Sequence, residues 1–250
     1  MAIIASLQAV HDSMNHAMDS IAARTNNAAL GATLPEVSAM TITCRTSASS
    51  VDLDALQHLL ENQRVQDVLN QHADQYVFRV ADRPMMASVT LKATSVGADA
   101  ASGTRSITVF RNGILRICGS VDFAEASVIA TITCNILEAA LTLDGVMVAD
   151  AGVGAINASF RLQDRSILLP AARLQLQALA VQRDDVTPSE QGPANAAVVK
   201  FAAGTGRYTC ITLFASGKIL VTGFTNGFDF DAAHAFITSF LTDNLGVVVV

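Results

Sequence analysis

The sequence is poor in aromatic residues and in charge. It has no tryptophan, two tyrosines and only three lysines in 250 residues, and its formal net charge is −6. Nonspecific binding to nucleic acid needs many contacts between basic side chains and phosphates. This composition therefore argues against a uniformly basic binding surface, and it leaves a local basic face open.

Metal, redox and catalytic signatures are also missing. The four cysteines form no Cys-x-x-Cys pair, so neither a zinc site nor a redox pair is predicted, and we expect reduced, buried thiols in an intracellular protein. No nucleophile motif accompanies the five histidines, and neither Gly152-x-Gly154 nor Gly204-x-Gly206 precedes the lysine of a phosphate loop. We expect no enzymatic activity, metal or cofactor. No apolar run reaches the length of a membrane span, and the first ten residues lack the basic start of a signal peptide.

What the chain does contain is an internal repeat. Residues 105–119 read RSITVFRNGILRICG, and residues 209–223 read TCITLFASGKILVTG. Each copy alternates apolar and polar residues around a short turn, which predicts a β-hairpin with its turn glycine at positive φ. Such spacing indicates a duplicated half-domain. The aligned pairs are Phe110 with Phe214, Gly113 with Gly217 and Gly119 with Gly223.

Similar elements surround the two hairpins. Long helices are predicted after them, at Phe123–Leu141 and Phe230–Leu245. Each copy reads strand, helix, three strands, long helix. The upstream strands are predicted at 38–45 and 85–93 in the first copy and at 155–162 and 194–202 in the second. The upstream helices are predicted at 53–69 and 168–179. Residues 1–30 are expected to hold an additional amphipathic helix. The segment 183–193 is predicted to be a solvated loop, and 247–250 a closing strand.

The doubled motif resembles the TATA-box-binding protein family. Residues 214–223 follow the family pattern Phe-x-Ser-Gly-Lys-x-x-x-Thr-Gly throughout, whereas residues 110–119 keep the phenylalanine and both glycines but not the serine, lysine and threonine. The resemblance implies an α+β fold, a pseudo-twofold saddle of two direct repeats whose curved antiparallel sheet carries its helices on the convex face. The implied domains are an N-terminal helical extension at 1–35, a first saddle repeat at 36–146 and a second saddle repeat at 147–250.

The resemblance also implies a set of DNA-binding residues on the concave face. Phe110 and Phe214 fall on one wedge phenylalanine of each repeat, a side chain that enters between base steps and kinks the duplex. The second wedge falls near Met86, which can act as one, and near Ala194, which is too small unless the alignment is shifted toward Pro193. The first-repeat counterpart of Asn157 is expected at Ala39 or Met40. The remaining positions implied to line the groove or contact phosphates are Lys92, Thr108, Arg111, Ile114, Arg116, Cys118, Asn157, Lys200, Thr212, Lys218, Leu220 and Thr222.

These positions imply a divergent TATA-binding-protein-like transcription initiation factor that binds and bends A·T-rich double-stranded DNA through the minor groove. Its helices would contact transcription factors or the RNA polymerase machinery. The alternative is a protein of this fold that has lost strong DNA binding and acts as a scaffold through protein–protein contacts. That alternative is favoured by the net negative charge, the missing wedge near Ala194 and the apolar helix 123–141. In that case the three lysines would protect the sheet edges from aggregation.

The same apolar helix is also compatible with a homo- or heterodimer. No membrane partner is expected. The divergence of the chain outside the doubled motif favours a lineage such as a large DNA virus, and a location in the nucleus or another site of transcription, including a viral factory.

Overall fold

The computed structural model describes residues 2–25, 30–58, 61–81, 88–96, 103–120, 123–189, 193–203 and 206–250. In these ranges the chain has an α+β fold with six helices and ten strands in antiparallel pairing, as predicted. In chain order the elements are α1 (Ala2–Thr25), β1 (Glu36–Thr46), α2 (Leu53–Gln57), α3 (Gln63–Gln71), β2 (Tyr76–Val80), β3 (Ser88–Ser95), β4 (Thr104–Phe110), β5 (Ile114–Ser120), α4 (Phe123–Leu141), β6 (Val148–Arg161), α5 (Leu169–Ala180), β7 (Val186–Ser189), β8 (Ala196–Ala202), β9 (Tyr208–Phe214), β10 (Lys218–Phe224) and α6 (Gly227–Asp243).

The chain divides into two compact units. Unit 1 comprises Met1–Gln8 and Ala39–Gly154, and unit 2 comprises Ala9–Ser38 and Ala155–Val250, so the division falls within α1, β1 and β6. The strand order in unit 1 is β2-β3-β4-β5-β1, and in unit 2 it is β6-β10-β9-β8-β7. The two orders are equivalent when each unit is followed from its opening strand, which is the arrangement that a direct repeat requires.

Each repeat has four strands between its helices, where the sequence predicted three. The additional strands are β2 and β7, the outermost strand of each unit. The prediction of a solvated loop at 183–193 was wrong for β7, whose Val186 is buried. Pro188 lies within this strand and pairs with Val199. Proline is confined to edge strands because it cannot donate a ladder hydrogen bond, so the composition of β7 resembles that of a loop.

Two other predicted elements differ in kind from expectation. The helix predicted at 53–69 is two helices, because Asp52 and Asn62 each cap a new N-terminus by accepting hydrogen bonds from backbone N–H groups. The closing strand predicted at 247–250 was wrong: Val249 makes isolated bridges to Ile167 and Leu245 and belongs to no strand.

The repeated glycines have the same geometry in both units. Gly113 and Gly217 have φ values of 73° and 75°, as predicted, and each donates its N–H to the carbonyl of the preceding phenylalanine, Phe110 or Phe214, at 3.0 Å. Gly119 and Gly223 have φ values of 97° and 85° and lie where the strand register shifts. They are therefore β-bulge residues, for which a positive φ favours glycine.

α4 is a core helix of unit 1. It contacts α2, α3 and β5, and it buries Ile129, Ile136 and Leu137. Among the described residues, α4 is also the one helix whose length and apolar composition would allow it to cross a membrane. The expectation that no apolar run reaches that length was therefore wrong. A buried core helix meets the same criterion.

A buried ion pair joins β4 to α4 in unit 1 and has no equivalent in unit 2. The Arg105 guanidinium donates to the Glu125 carboxylate at 3.0 Å, and both side chains are largely buried. The equivalent positions in unit 2 are Thr209 and Asp229. Asp229 is buried, and among the described residues its Oδ1 has no hydrogen-bond partner. Unit 2 has thus kept a carboxylate without the guanidinium that neutralises it in unit 1.

Candidate nucleic-acid interface

One side of the strands in each unit is left open. Along each strand, alternate side chains are buried against the helices, and the others are partly or fully exposed. We call this second set the open face. In unit 1 it comprises the odd-numbered residues 41–45, 77 and 79, the even-numbered residues 90–94, 104–110 and 114–118, and Asp150, Gly152 and Gly154 at the start of β6. In unit 2 it comprises the odd-numbered residues 157–161, Thr187, and the even-numbered residues 198–202, 208–214 and 218–222.

The open faces are basic although the chain is acidic. In the part of the chain that the structure describes, strands contain eight of the 16 Lys and Arg residues of the sequence but only two of its 22 Asp and Glu residues, namely Glu36 and Asp150. Arg105 faces the helices, and the other seven strand cations lie on the open faces, where Asp150 is the one acid among the described residues. Four belong to unit 1 and three to unit 2: Arg45, Arg79, Lys92 and Arg116, and Arg161, Lys200 and Lys218.

Neutral side chains on the open faces are mostly hydroxyls. In unit 1 the register places Lys92 opposite Ser106, Ser106 opposite Cys118, and Cys118 opposite Thr41. Lys92 Nζ donates to Ser106 Oγ at 3.0 Å, and the Thr94 and Thr104 hydroxyls are 3.1 Å apart. Hydroxyls both donate and accept hydrogen bonds, so this row can meet the acceptors that A·T pairs present in the minor groove.

The two predicted wedges lie at equivalent points. Phe110 and Phe214 end β4 and β9, are partly exposed, and pair with Ser88 and Ala196. The Arg116 guanidinium lies 5.3 Å from the centre of the Phe110 ring, within the range of a cation–π contact. An exposed ring at a strand end beside a cation has the geometry that insertion between base pairs next to a phosphate would require.

The second wedge positions are only partly described. Met86 lies outside the described residues. Ala194 is exposed in the turn before β8, and its carbonyl accepts a hydrogen bond from Arg173 at 3.1 Å. Both precede the partner of a first wedge by two residues, so the predicted positions are equivalent, and in unit 2 the small side chain offers no wedge.

The other predicted residues lie mostly where the sequence placed them. Arg111 is exposed in the turn after β4 and not on a strand. The open faces contain Lys92, Thr108, Ile114, Arg116, Cys118, Asn157, Lys200, Thr212, Lys218, Leu220 and Thr222. The expected counterpart of Asn157 was wrong. Asn157 lies opposite Thr222, and Thr41 lies opposite Cys118, the residue equivalent to Thr222. The counterpart is therefore Thr41, whereas Met40 pairs with Ser120 and is buried in the core.

Sequence reasoning missed three open-face arginines: Arg45, Arg79 and Arg161. Arg45 and Arg161 lie on the opening strands β1 and β6, outside the hairpin motif that drew attention. Arg79 lies on β2, which was not predicted. A signal was present, because Arg45 and Arg161 each follow an alternating run of apolar and small polar residues at the end of a predicted strand.

Comparison with known structures supports the fold. The TBP of Methanococcus jannaschii matches with a TM-score of 0.50 and 15% sequence identity over 84% of this chain and 98% of that one. The immunity protein TplEi of Pseudomonas aeruginosa, solved with a peptide, matches at a TM-score of 0.20 and 12% identity over 85% of this chain and 91% of that one, too weak to support an argument. No protein-family model and no curated protein sequence matches the chain. The fold is therefore TBP-like.

Proposed function

We propose that this chain is a divergent TBP-like factor that binds the minor groove of A·T-rich duplex DNA through its open faces and bends it, as a step in transcription initiation. The observation that carries the proposal is the charge separation: among the described residues the open faces hold seven cations and one acid, Asp150, in a chain of net charge −6. A scaffold that acts only through protein contacts has no need for this distribution, whereas phosphate binding depends on it.

Each class of open-face residue has a distinct role in this proposal. Cations contact phosphates and set affinity without reading sequence. Hydroxyls and Asn157 donate to the minor-groove acceptors of A·T pairs, and deformability of the DNA supplies further selectivity. Phe110 and Phe214 unstack base steps, with Met86 as a further candidate. Unit 1 has more cations, and unit 2 has more apolar side chains, such as Val198 and Leu220.

Binding is tested by fluorescence anisotropy with short A·T-rich and G·C-rich duplexes over a salt series. We expect tighter binding to A·T, and a linear fall of log K with log salt whose slope corresponds to a few phosphates. Absence of binding at low salt by folded protein would reject the proposal and favour the scaffold function through the helices.

Bending is tested separately by energy transfer between dyes at the two ends of the duplex. Phe214→Ala should reduce the bend more than Lys218→Ala, because a wedge deforms DNA whereas a phosphate contact only holds it. Phe228→Ala is the matched control, since Phe228 is exposed on α6 and not on the open face. Equal bend angles for Phe214→Ala and Lys218→Ala would contradict the wedge role.

A further inference from the structure

The two units serve as an internal alignment of the open faces. Strand pairing matches fourteen positions of unit 1 with fourteen of unit 2. The side chain is the same at only four of them: Phe110 and Phe214, Thr108 and Thr212, Lys92 and Lys200, and Arg45 and Arg161. The first three pairs belong to the proposed DNA-binding set. The fourth pair, Arg45 and Arg161, has no role in the proposal so far. Its side chain is nevertheless the same in both units, whereas ten of the fourteen matched positions differ.

Arg45 and Arg161 occupy equivalent positions in the strand register of the two units. They lie opposite Ile114 and Lys218, the residues that directly follow the two turn glycines. Each is therefore near the end of the sheet where Phe110 or Phe214 lies. A hydroxyl, Thr43 or Ser159, is two residues earlier on the same face. Both arginines are exposed, and within the described part of the chain neither side chain has an ion pair or a hydrogen bond.

Unit 2 places two like charges directly opposite each other. Arg161 pairs with Lys218 across β6 and β10, and no acid lies on that open face. Directly opposed like charges destabilise a sheet. A bound anion would remove this repulsion, and a phosphate matches the planar array of donors that a guanidinium offers.

Unit 1 places Arg45 in a shallow concavity. Its volume is about 250 Å³, and its lining includes Thr43, Ile114, Gly152 and Gly154. A Cβ added at Gly152 would meet no atom within 4 Å, so the backbone there is open to an approaching ligand. Asp150 also lines the concavity, and its carboxylate would repel a phosphate. A phosphate bound by Arg45 would therefore lie near one negative charge, whereas no acid lies on the open face around Arg161.

We infer that Arg45 and Arg161 are a pair of equivalent phosphate clamps, each holding one backbone phosphate of a DNA duplex beside the wedge phenylalanine of its unit. This inference rests on the proposed function and adds the residues that hold the strand next to each kink. Each clamp neutralises one phosphate, so its contribution appears in the salt dependence of binding and is the same for every base sequence.

The test is the salt series with Arg45→Ala, Arg161→Ala and the double variant, using A·T-rich and G·C-rich duplexes. Each single variant should lower the slope of log K against log salt by about 0.9, and the double variant by about twice that. The loss should be equal for both duplexes. Arg64→Ala on α3 is the matched control, since Arg64 is exposed on a helix and should leave the slope unchanged. Asp150→Asn should raise affinity.

The outcomes separate the two levels of inference. If the wild type does not bind, the proposed function fails together with the clamps. If it binds, and the arginine variants keep its slope, only the clamps are overturned. Reduced affinity with an unchanged slope would indicate a structural role, which thermal unfolding and the milder Arg45→Gln and Arg161→Gln variants would reveal. Unchanged affinity in Asp150→Asn would place the phosphate outside the concavity and reject the Arg45 clamp.

Discussion

At the scale of single residues, unit 1 is sensitive to substitution at the buried Arg105–Glu125 ion pair. Removing one partner of a buried pair leaves an uncompensated charge, so Arg105→Leu should lower the free energy of unfolding by about 3 kcal/mol. The double variant Arg105→Leu/Glu125→Leu should recover most of that loss, because no charge remains buried. Urea denaturation of the three proteins measures this, and a double variant no more stable than Arg105→Leu would show that packing dominates.

His234 makes stability depend on pH. Its ring is buried between Phe160 and Phe230, and neither ring nitrogen has a partner among the described residues. Burial, with a smaller effect from Arg24, lowers the His234 pKa to about 4, against 6.5 when exposed, and Asp231 opposes the shift. Between these values the unfolded chain binds the proton more strongly. Stability is therefore complete above pH 6.5 and falls as the pH drops towards 4.

The change should amount to about 3 kcal/mol across that window. His234→Phe should abolish this part of the pH dependence and leave the melting temperature at pH 7 equal or higher, because no unpaired nitrogens remain buried. His16→Ala on the exposed side of α1 is the control. Thermal melts from pH 7.5 to 4 measure the effect, and an unaltered pH dependence in His234→Phe would assign it to other groups.

At the scale of elements, the hairpin turns depend on their glycines for two separable reasons. Gly217 has φ 75°, and a Cβ there would also collide with the carbonyl oxygen of Arg165. Gly206 has φ 77° and no atom within 4 Å of an added Cβ. Gly206→Ala should therefore cost only the backbone strain, about 1 kcal/mol, and Gly217→Ala clearly more. Chemical denaturation compares the two, and equal losses would show that the loop around Arg165 yields freely.

Elements were predictable from the sequence where the pattern was strong and local. The two hairpins, their turn glycines and α4 follow from alternation and helical spacing over long runs, and Phe123–Leu141 has the predicted bounds. The edge strands β2 and β7 were not predictable, because short strands with one buried face and a proline look like loops. The break between α2 and α3 depended on two caps in a segment whose apolar spacing continues across it.

The candidate site was predictable to the extent that it lay in the repeated motif. Phe110, Phe214 and the three lysines were found because they belong to the hairpins or the strands beside them. Arg45 and Arg161 were missed because their relation appears only after strand pairing is known. Thr41 was not recognised as the counterpart of Asn157, because the pairing of β1 with β5 that relates the two residues is not visible in the sequence.

At the scale of the whole molecule, average charge is a poor guide to binding. The ten described strands carry a net charge of +6, and the remainder of the sequence carries −12. We expect retention on immobilised heparin at pH 7, despite a sequence pI near 5.2, because a sulfated polymer binds a local basic face. Lys200→Gln should elute at lower salt, whereas Arg64→Gln should not. Elution of the wild type in the flow-through would indicate that the open faces do not act as an anion-binding surface.

The Asp229 carboxylate, which accepts a hydrogen bond from Asn226 but has no guanidinium partner, bears on the history of the chain. Unit 1 holds both members of an ion pair, and unit 2 holds an acid opposite a threonine. If the ancestral half-domain carried the ion pair, unit 2 lost the cation after duplication and kept the acid. Sequence drift would then explain why the Asp229 carboxylate is buried without a cation. Substitution of Thr209 by arginine would therefore give unit 2 the cation that unit 1 already has at the equivalent position, Arg105.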